Sequence, residues 1–113
     1  MIYHMTPARI WQALGPTDLY VADSLATEGF IHCTGEPERL VVVANRFYRS
    51  ISDDFVILCI EPAHLQAPLR WEVADGALFP HLYGPLNRAA VSAVIPFPRD
   101  GEGNFLPPAL PAQ

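Results

Sequence analysis

The segment FVILCI at residues 55–60 is an apolar run of strand length. Every position in it is hydrophobic, so both faces of the strand need to be covered. Pro62 ends the run, because proline cannot donate to a strand ladder. The run therefore predicts a central strand, and the rest of the chain has to supply its neighbours and its covering layers.

Other segments have the composition and alternation typical of strands. Residues 1–5, 30–33, 69–74 and 89–97 each predict a strand of ordinary or short length. In contrast, FPHLYGPLN at 79–87 contains two prolines and a glycine, which predicts an ordered loop.

One long helix and two short ones are expected between these strands. The long helix has Pro37 near its start, with Thr34 or Gly35 as its cap. Its apolar residues recur at helical spacing, which predicts a stripe packed on the sheet: Leu40, Val43, Ala44, Phe47 and Ile51. The shorter helices are expected after Thr6 and from Asp23 to Glu28.

The order of these elements favours an α+β domain with helices packed on a curved, mainly antiparallel sheet. Strands and helices do not alternate regularly, and no glycine-rich phosphate motif is present, so a doubly wound nucleotide-binding fold is not expected. A single domain is expected over residues 1–98. Residues 99–113 contain glycines and prolines without an apolar period, which predicts a flexible or surface-draped tail.

Charge and composition exclude several classes of function. The net charge is −5 and no basic run occurs, so binding to DNA or RNA is not expected. The chain has no lysine, which excludes a Schiff-base mechanism. The N-terminus does not resemble a signal peptide and no apolar run approaches about 20 residues. Cys33 and Cys59 form no CxxC motif, so we expect two reduced thiols. Together these features predict a cytoplasmic protein with no membrane association.

A polar cluster is predicted from the segments GFIHCT (29–34) and FPHLYG (79–84). Because strand side chains alternate, His32 and Thr34 share a face, whereas Cys33 points to the opposite one. His81 and Tyr83 lie in a segment that two prolines restrict, as a rigid site requires. With His4 from the first strand, we expect the three histidines to converge, because imidazoles in apolar surroundings need polar partners.

Two other kinds of chemistry receive less support. His4, His32 and His81 are far apart in sequence and no HxH, HExxH or CxxC spacing occurs, so no structural zinc is expected. Cys33 as a nucleophile would need a nearby base, but its side chain is expected to face the core. His64 follows Pro62 in a polar turn, where we expect a surface residue.

These motifs resemble those of a bacterial family of unknown function that is marked by GFIHC followed by Ser or Thr, and by FPHxYG. The resemblance covers residues 1–98. That family is distantly similar to the ADP-ribosyltransferase fold, in which a split, curved β-sheet holds NAD in a cleft. The resemblance therefore implies this fold and, less directly, a reaction on NAD or a related nucleotide.

The resemblance also implies roles for individual residues. His4 and Thr6, with Tyr3, match a first-strand motif that contacts the ribose of NAD, although Met5 replaces the usual glycine. Glu72 resembles the acidic residue that stabilises the sugar cation of the transition state. A ring that stacks on nicotinamide is also implied, and Tyr20, His81 and Tyr83 all remain candidates for it.

Two functions remain open from the sequence. The first is an ADP-ribosyltransferase-like enzyme with Glu72 and His81 as catalytic residues, and with NAD as a substrate, not a permanently bound cofactor. The second is a non-catalytic module that binds a small anionic ligand or nucleotide. His4, Thr6, His32, Thr34 and Tyr83 would bind the ligand in either case. A carboxylate of Glu72 that points into the cleft near His4 favours the enzyme, and one that points to solvent favours the module.

Overall fold

The computed structural model describes residues 1–112 and has an α+β architecture. Its strands are β1 (Ile2–Pro7), β2 (Ile31–His32), β3 (Phe55–Ile60), β4 (Leu69–Ala74), β5 (Ala77–Leu82) and β6 (Val91–Phe97). Its helices are α1 (Ala8–Gln12), α2 (Asp23–Glu28) and α3 (Pro37–Phe47), and short 3-10 turns span Pro62–His64 and Arg88–Ala90.

The strands form two small antiparallel sheets. One has the order β1-β3-β6 and the other β2-β5-β4. Tyr3 in β1 and Thr34 after β2 join the sheets through two backbone hydrogen bonds of 2.7 and 2.8 Å. An α+β fold with antiparallel pairing, split into two parts, is therefore confirmed.

Strand β3 lies at the centre of the first sheet, as its uninterrupted apolar sequence predicted. Its alternate side chains enter two core clusters on opposite faces. Leu58 and Ile60 pack in one cluster with Ile31 and Leu82 of the second sheet. The other cluster lies between the sheet and α3, and its members include Tyr3, Leu40, Ala44, Ile57, Cys59 and Phe105.

The predicted apolar stripe of α3 is correct at one end of the helix and wrong at the other. Leu40 and Ala44 are fully buried and Val43 is partly buried. However, Phe47 is 54% exposed, and Ile51 lies beyond the helix end and is 38% exposed. Phe47 ends α3 beside an open cavity, so its ring borders this cavity instead of the sheet.

Residues 79–82 form part of a strand, so the prediction of a loop over 79–87 was wrong for its first half. The sheet tolerates Pro80 because its carbonyl still accepts a 3.0 Å hydrogen bond from the Cys33 amide. Proline lacks the donor that would complete this pair, and β2 ends one residue earlier at His32. The rest of the segment contains an irregular turn with Gly84 at φ 157°.

The C-terminal segment packs against the core cluster of the first sheet through Phe105 and, less deeply, Leu110. Arg99 and Phe105 form an isolated β-bridge, and the Phe105 side chain is 2% exposed. Oδ1 of Asn45 in α3 accepts a hydrogen bond from the Phe105 amide at 2.7 Å, and Nδ2 of Asn45 donates one to the Phe105 carbonyl at 3.2 Å. Phe105 therefore belongs to the core, which the expectation of a flexible or surface-draped tail did not include.

None of the helices within residues 1–112 is both long enough and apolar enough to cross a bilayer.

Candidate functional site

One face of the second sheet carries the polar residues that the sequence singled out. His32 pairs with His81, and His81 pairs with Arg70, so these side chains point to the same side. Alternation along each strand extends the set. The polar and aromatic residues on this face are Phe30, His32, Thr34, Arg70, Glu72, Phe79, His81 and Tyr83.

Glu72 is the hydrogen-bond acceptor at the centre of this face. Its Oε1 accepts from Nδ1 of His81 at 2.9 Å and from the hydroxyl of Tyr83 at 2.5 Å. The Tyr83 bond, followed by the His81 bond, lowers the pKa of Glu72 from its ordinary value, because both stabilise the carboxylate. The same interaction raises the pKa of Tyr83.

This carboxylate fixes the tautomer of His81. An ionised carboxylate only accepts, so Nδ1 of His81 carries the proton of this hydrogen bond, and in the neutral form of the ring Nε2 has a free lone pair. His81 is 5% exposed, and among residues 1–112 no group bonds to its buried Nε2. Phe30 stacks on the ring, with centroids 4.1 Å apart and planes inclined by 19°. The result is an imidazole of fixed orientation with one unpaired nitrogen.

His32 lies beside His81 but has a different partner. Their ring centroids are 5.4 Å apart in an edge-to-face arrangement. Nε2 of His32 is 2.7 Å from a carboxylate oxygen of Glu28, at the end of α2. Both side chains are about half exposed, so this pair lies at the mouth of the site.

His4 forms a buried hydrogen-bonded chain behind the two other histidines. Its Nδ1 is 2.6 Å from the backbone oxygen of His32, and its Nε2 is 2.7 Å from the hydroxyl of Tyr20, which in turn lies 3.0 Å from Thr6 Oγ1. Burial lowers the pKa of His4 from 6.5 to about 4 and raises that of Tyr20 to about 12. His4 is therefore neutral at pH 7, with Nδ1 donating to the carbonyl.

A cavity of about 610 Å³ lies between β1, β2, β5, α2 and α3. Of the predicted site residues, His4, His32, Thr34 and His81 line it. The convergence of the three histidines is thus confirmed, although His4 bonds to the backbone and to Tyr20 and not to another imidazole.

Three predicted site residues are not among those that line the cavity. Thr6 is 2% exposed and contacts the Tyr20 hydroxyl, so it supports His4 from behind. Glu72 and Tyr83 lie on the outer side of His81, and the Glu72 side chain is 39% exposed. Tyr20 is buried against His4, which leaves His81 as the only one of the three stacking candidates in the cavity wall.

Sequence reasoning missed several residues in the wall. They are contributed by α2, the end of α3 and the β4–β5 hairpin, and they include Glu28, Val43, Phe47, Tyr48, Asp75 and Phe79. A smaller recess of about 150 Å³ shares four of these residues, Val43, Phe47, Asp75 and Phe79, and adds Val42 and two arginines, Arg39 and Arg46. Arg46 lies 3.5 Å from Asp75.

The remaining predictions concern Thr34, Cys33 and metal binding. Thr34 does not cap α3, because Glu36 occupies the N-cap position and no side chain there accepts a hydrogen bond from the first amides of the helix. The buried Cys33 has its pKa raised to about 12, which makes it a poor nucleophile. Within residues 1–112, His, Cys, Asp and Glu form no group of three that could hold a metal ion.

Comparison with known proteins finds solved structures of one bacterial protein that are similar to this chain. A crystal structure of protein CC0527 from Caulobacter crescentus is 30% identical, with a TM-score of 0.76 over 93% of this chain and 92% of that one. The solution NMR structure of CC0527 is 28% identical, with a TM-score of 0.72 over 90% and 88%. No curated protein matches the chain. The family model "Protein of unknown function (DUF952)" matches residues 5–94, and the chain therefore belongs to this family.

Proposed function

We propose that this protein binds NAD or a related dinucleotide in the cavity and acts on it as an ADP-ribosyltransferase-like enzyme. The observation that carries the proposal is the Glu72–His81 pair: a carboxylate fixes the tautomer of a cavity-lining imidazole whose Nε2 is buried and unpaired. A buried polar atom without a partner carries an energetic cost, and its retention is typical of a site that receives a ligand.

The charges around the cavity favour a ligand with a cationic ring over a simple anion. Glu28 and Asp75 line the cavity, and His4 is neutral. The pyridinium ring of NAD carries a positive charge, which suits these carboxylates, and the rings of Tyr48 and Phe79 offer aromatic surface. This arrangement gives less support to free phosphate as the ligand.

The phosphates of a dinucleotide have a separate place to bind. The recess beside the cavity contains Arg39 and Arg46, and guanidinium groups bind phosphate oxygens with two parallel hydrogen bonds. Because the recess and the cavity share Phe47, Asp75 and Phe79, one ligand is able to reach both. The diphosphate would compete with Asp75 for Arg46.

The chemistry we propose is a transfer of ADP-ribose. The bond between nicotinamide and C1′ of the ribose breaks, and nicotinamide leaves as a neutral base. An acceptor oxygen forms the new bond to C1′ and gives its proton to Nε2 of His81. Glu72 orients His81 and stabilises the imidazolium that results, as a positioning residue.

One observation favours the alternative of a non-catalytic nucleotide-binding module. The Glu72 carboxylate is partly exposed and is not among the cavity-lining groups near His4, so it does not stand where a sugar cation would form. In the module, the same residues bind the dinucleotide and no bond to nicotinamide is broken. Release of nicotinamide distinguishes the two functions.

Thermal melts with NAD, ADP-ribose and inorganic phosphate test the binding. A ligand at about 100 times its dissociation constant stabilises a fold by about 2.7 kcal/mol, which gives a measurable rise in melting temperature. We expect NAD and ADP-ribose to stabilise the wild type, and His81→Ala and His32→Ala to lose this response. His64→Ala is the matched control, since His64 is exposed and remote from the cavity wall.

The proposal fails if neither NAD nor ADP-ribose stabilises the wild type, or if both cavity variants respond as the wild type does. Where binding is found, nicotinamide release by the wild type and by Glu72→Gln separates the enzyme from the module. The enzyme predicts release that is strongly reduced in Glu72→Gln, whereas the module predicts none from either protein.

A further inference from the structure

Strand β4 forms an open edge of the second sheet. Its sequence, LRWEVA, pairs with β5 on one side, and no strand lies on its other side within residues 1–112. The pairing has no register shift, β4 contains no proline, and its two charged residues, Arg70 and Glu72, both lie on one face. Natural edge strands are usually protected by bulges, prolines or charged side chains, so a regular edge with one uncharged face is suited to pairing with another chain.

Pro80 indicates which β4 residues have backbone groups on the free side. The Pro80 carbonyl accepts a hydrogen bond from the Cys33 amide, so it is directed towards β2. The amides and carbonyls of its neighbours Phe79 and His81 are therefore directed towards β4. Their β4 partners, Glu72 and Arg70, therefore use their backbone groups within the sheet.

The alternate β4 residues, Leu69, Trp71 and Val73, accordingly direct their amides and carbonyls outward. Trp71 is 52% exposed and Val73 is 75% exposed, and Leu78, which pairs with Val73, is 57% exposed. The open edge thus combines unpaired backbone groups with an apolar strip along one face.

One register of a second copy of this strand fits the edge best. Outward residues have to pair with outward residues, so a two-fold antiparallel pairing can centre on any residue of β4, and centring on residue 71 or 72 gives the longest pairing within the strand. Centring on Arg70 places two arginines opposite each other, and centring on Glu72 does the same for two glutamates. Like charges in direct opposition destabilise a sheet. Centring on Trp71 instead places Arg70 opposite Glu72, twice, and pairs the two tryptophans.

We propose that this protein forms a symmetric homodimer in which β4 pairs with β4 of the partner subunit, with Trp71 on the two-fold axis. The interface is isologous, so each favourable contact occurs twice. Two Arg70–Glu72 pairs lie on one face, and Trp71, Leu69 and Val73 form an apolar strip on the other. The dimer does not depend on the identity of the ligand.

The pairing also adds a residue to the candidate site. Arg70 of the partner subunit would lie opposite Glu72, the carboxylate that orients His81. A guanidinium at this position favours the ionised state of Glu72 and so reinforces the tautomer of His81. Arg70 of the same subunit already lies over the Tyr83 ring at 5.0 Å, so the dimer would add a second guanidinium to the polar environment of each site.

Complementary charge variants test both the interface and its register. Arg70→Glu and Glu72→Arg each place like charges opposite one another in a homodimer, and each should weaken self-association by roughly tenfold or more. An equimolar mixture restores both opposite-charge pairs and should form a heterodimer. Sedimentation equilibrium over a wide concentration range measures the mass, which is 12.5 kDa for the monomer and twice that for the dimer. Arg39→Glu, which makes the same charge change on α3, should leave association unchanged.

A second pair of variants does not alter these charges. Val73→Lys introduces a charge at the edge and should give a monomer, whereas Val42→Lys, at a site on α3 that is 66% exposed, should not. Circular dichroism confirms that each variant is folded. The proposal is overturned if the wild type is a monomer at all concentrations, if Val73→Lys associates as the wild type does, or if the mixture of charge variants shows no heterodimer.

Discussion

Glu72 and His81 show how the candidate site is organised at the scale of single residues. One carboxylate oxygen accepts from an imidazole and a phenol, and this double acceptance both lowers the pKa of Glu72 and fixes the proton of His81 on Nδ1. Neither effect needs a bound ligand, so the protein holds His81 in one orientation before any ligand arrives.

The contribution of Tyr83 can be measured through the titration of Glu72. Tyr83→Phe removes the stronger of the two hydrogen bonds to the carboxylate, so the pKa of Glu72 should rise towards its ordinary value. Carbon NMR of the Glu72 carboxyl group follows this titration. An unchanged pKa in Tyr83→Phe would show that the phenol does not stabilise the carboxylate.

His4 should make the stability of the protein depend on pH. Its pKa falls from 6.5 in the unfolded chain to about 4 in the fold, so between these values only the unfolded state binds the proton. The free energy of unfolding should therefore decrease by about 3 kcal/mol as the pH falls from 6.5 to 4, and be unaffected above 6.5.

Denaturant titrations of the wild type, His4→Gln and His64→Gln across this pH range test the assignment. His4→Gln should be less stable at pH 7, because its hydrogen-bonded chain is altered, but its stability should fall less steeply with acid. His64→Gln serves as the control and should follow the wild type. The same acid dependence in all three proteins would contradict the buried, neutral state of His4.

At the scale of elements, α3 has two ends with different surroundings. Leu40 is fully buried, so Leu40→Ala should cost about 2–5 kcal/mol in the free energy of unfolding. Phe47 is 54% exposed at the cavity, so Phe47→Ala should cost about 1 kcal/mol or less, and not the 3–5 kcal/mol of a core phenylalanine. Equal losses in chemical denaturation would mean that α3 packs along its whole length.

The helices and strands were predicted best where the sequence pattern allowed only one physical arrangement. The apolar run 55–60 needs cover on both faces, so its central position followed directly. Residues 79–82 were predicted as a loop because Pro80 usually excludes a strand, and only the register with β2 shows how the ladder accommodates it. The Glu72–His81 contact could not be foreseen for the same reason, because it requires the β4–β5 register.

At the scale of the whole molecule, the C-terminal segment stabilises the first sheet. The ring of Phe105 packs on Phe55 and Phe97, with centroids at 5.3 and 4.8 Å, and Arg99 lies over it at 4.2 Å. Phe105→Ala should therefore destabilise the protein by about 3–5 kcal/mol. Leu106→Ala, at the next and 39% exposed residue, should change little. A loss below about 1 kcal/mol for Phe105→Ala would place this segment outside the cooperative fold.

The candidate cavity could be predicted only in part. Strand alternation placed His32 and Thr34 on one face, and both line the cavity. Glu28, Tyr48 and Asp75 come from helix ends and a hairpin tip, whose positions depend on how α2, α3 and the second sheet pack together. No local pattern encodes that packing, so these residues became visible only in the structure.

Glu72 holds His81 in one orientation, and we propose that the unpaired Nε2 of His81 receives a ligand in the cavity. Proton–nitrogen NMR of the imidazole rings, recorded with and without NAD and ADP-ribose, tests it most directly. We predict a His81 ring with a proton on Nδ1, whose Nε2 resonance shifts on adding either ligand while His64 does not change. A His81 protonated on Nε2 alone, or ring resonances of His81 that neither ligand alters, would contradict the account.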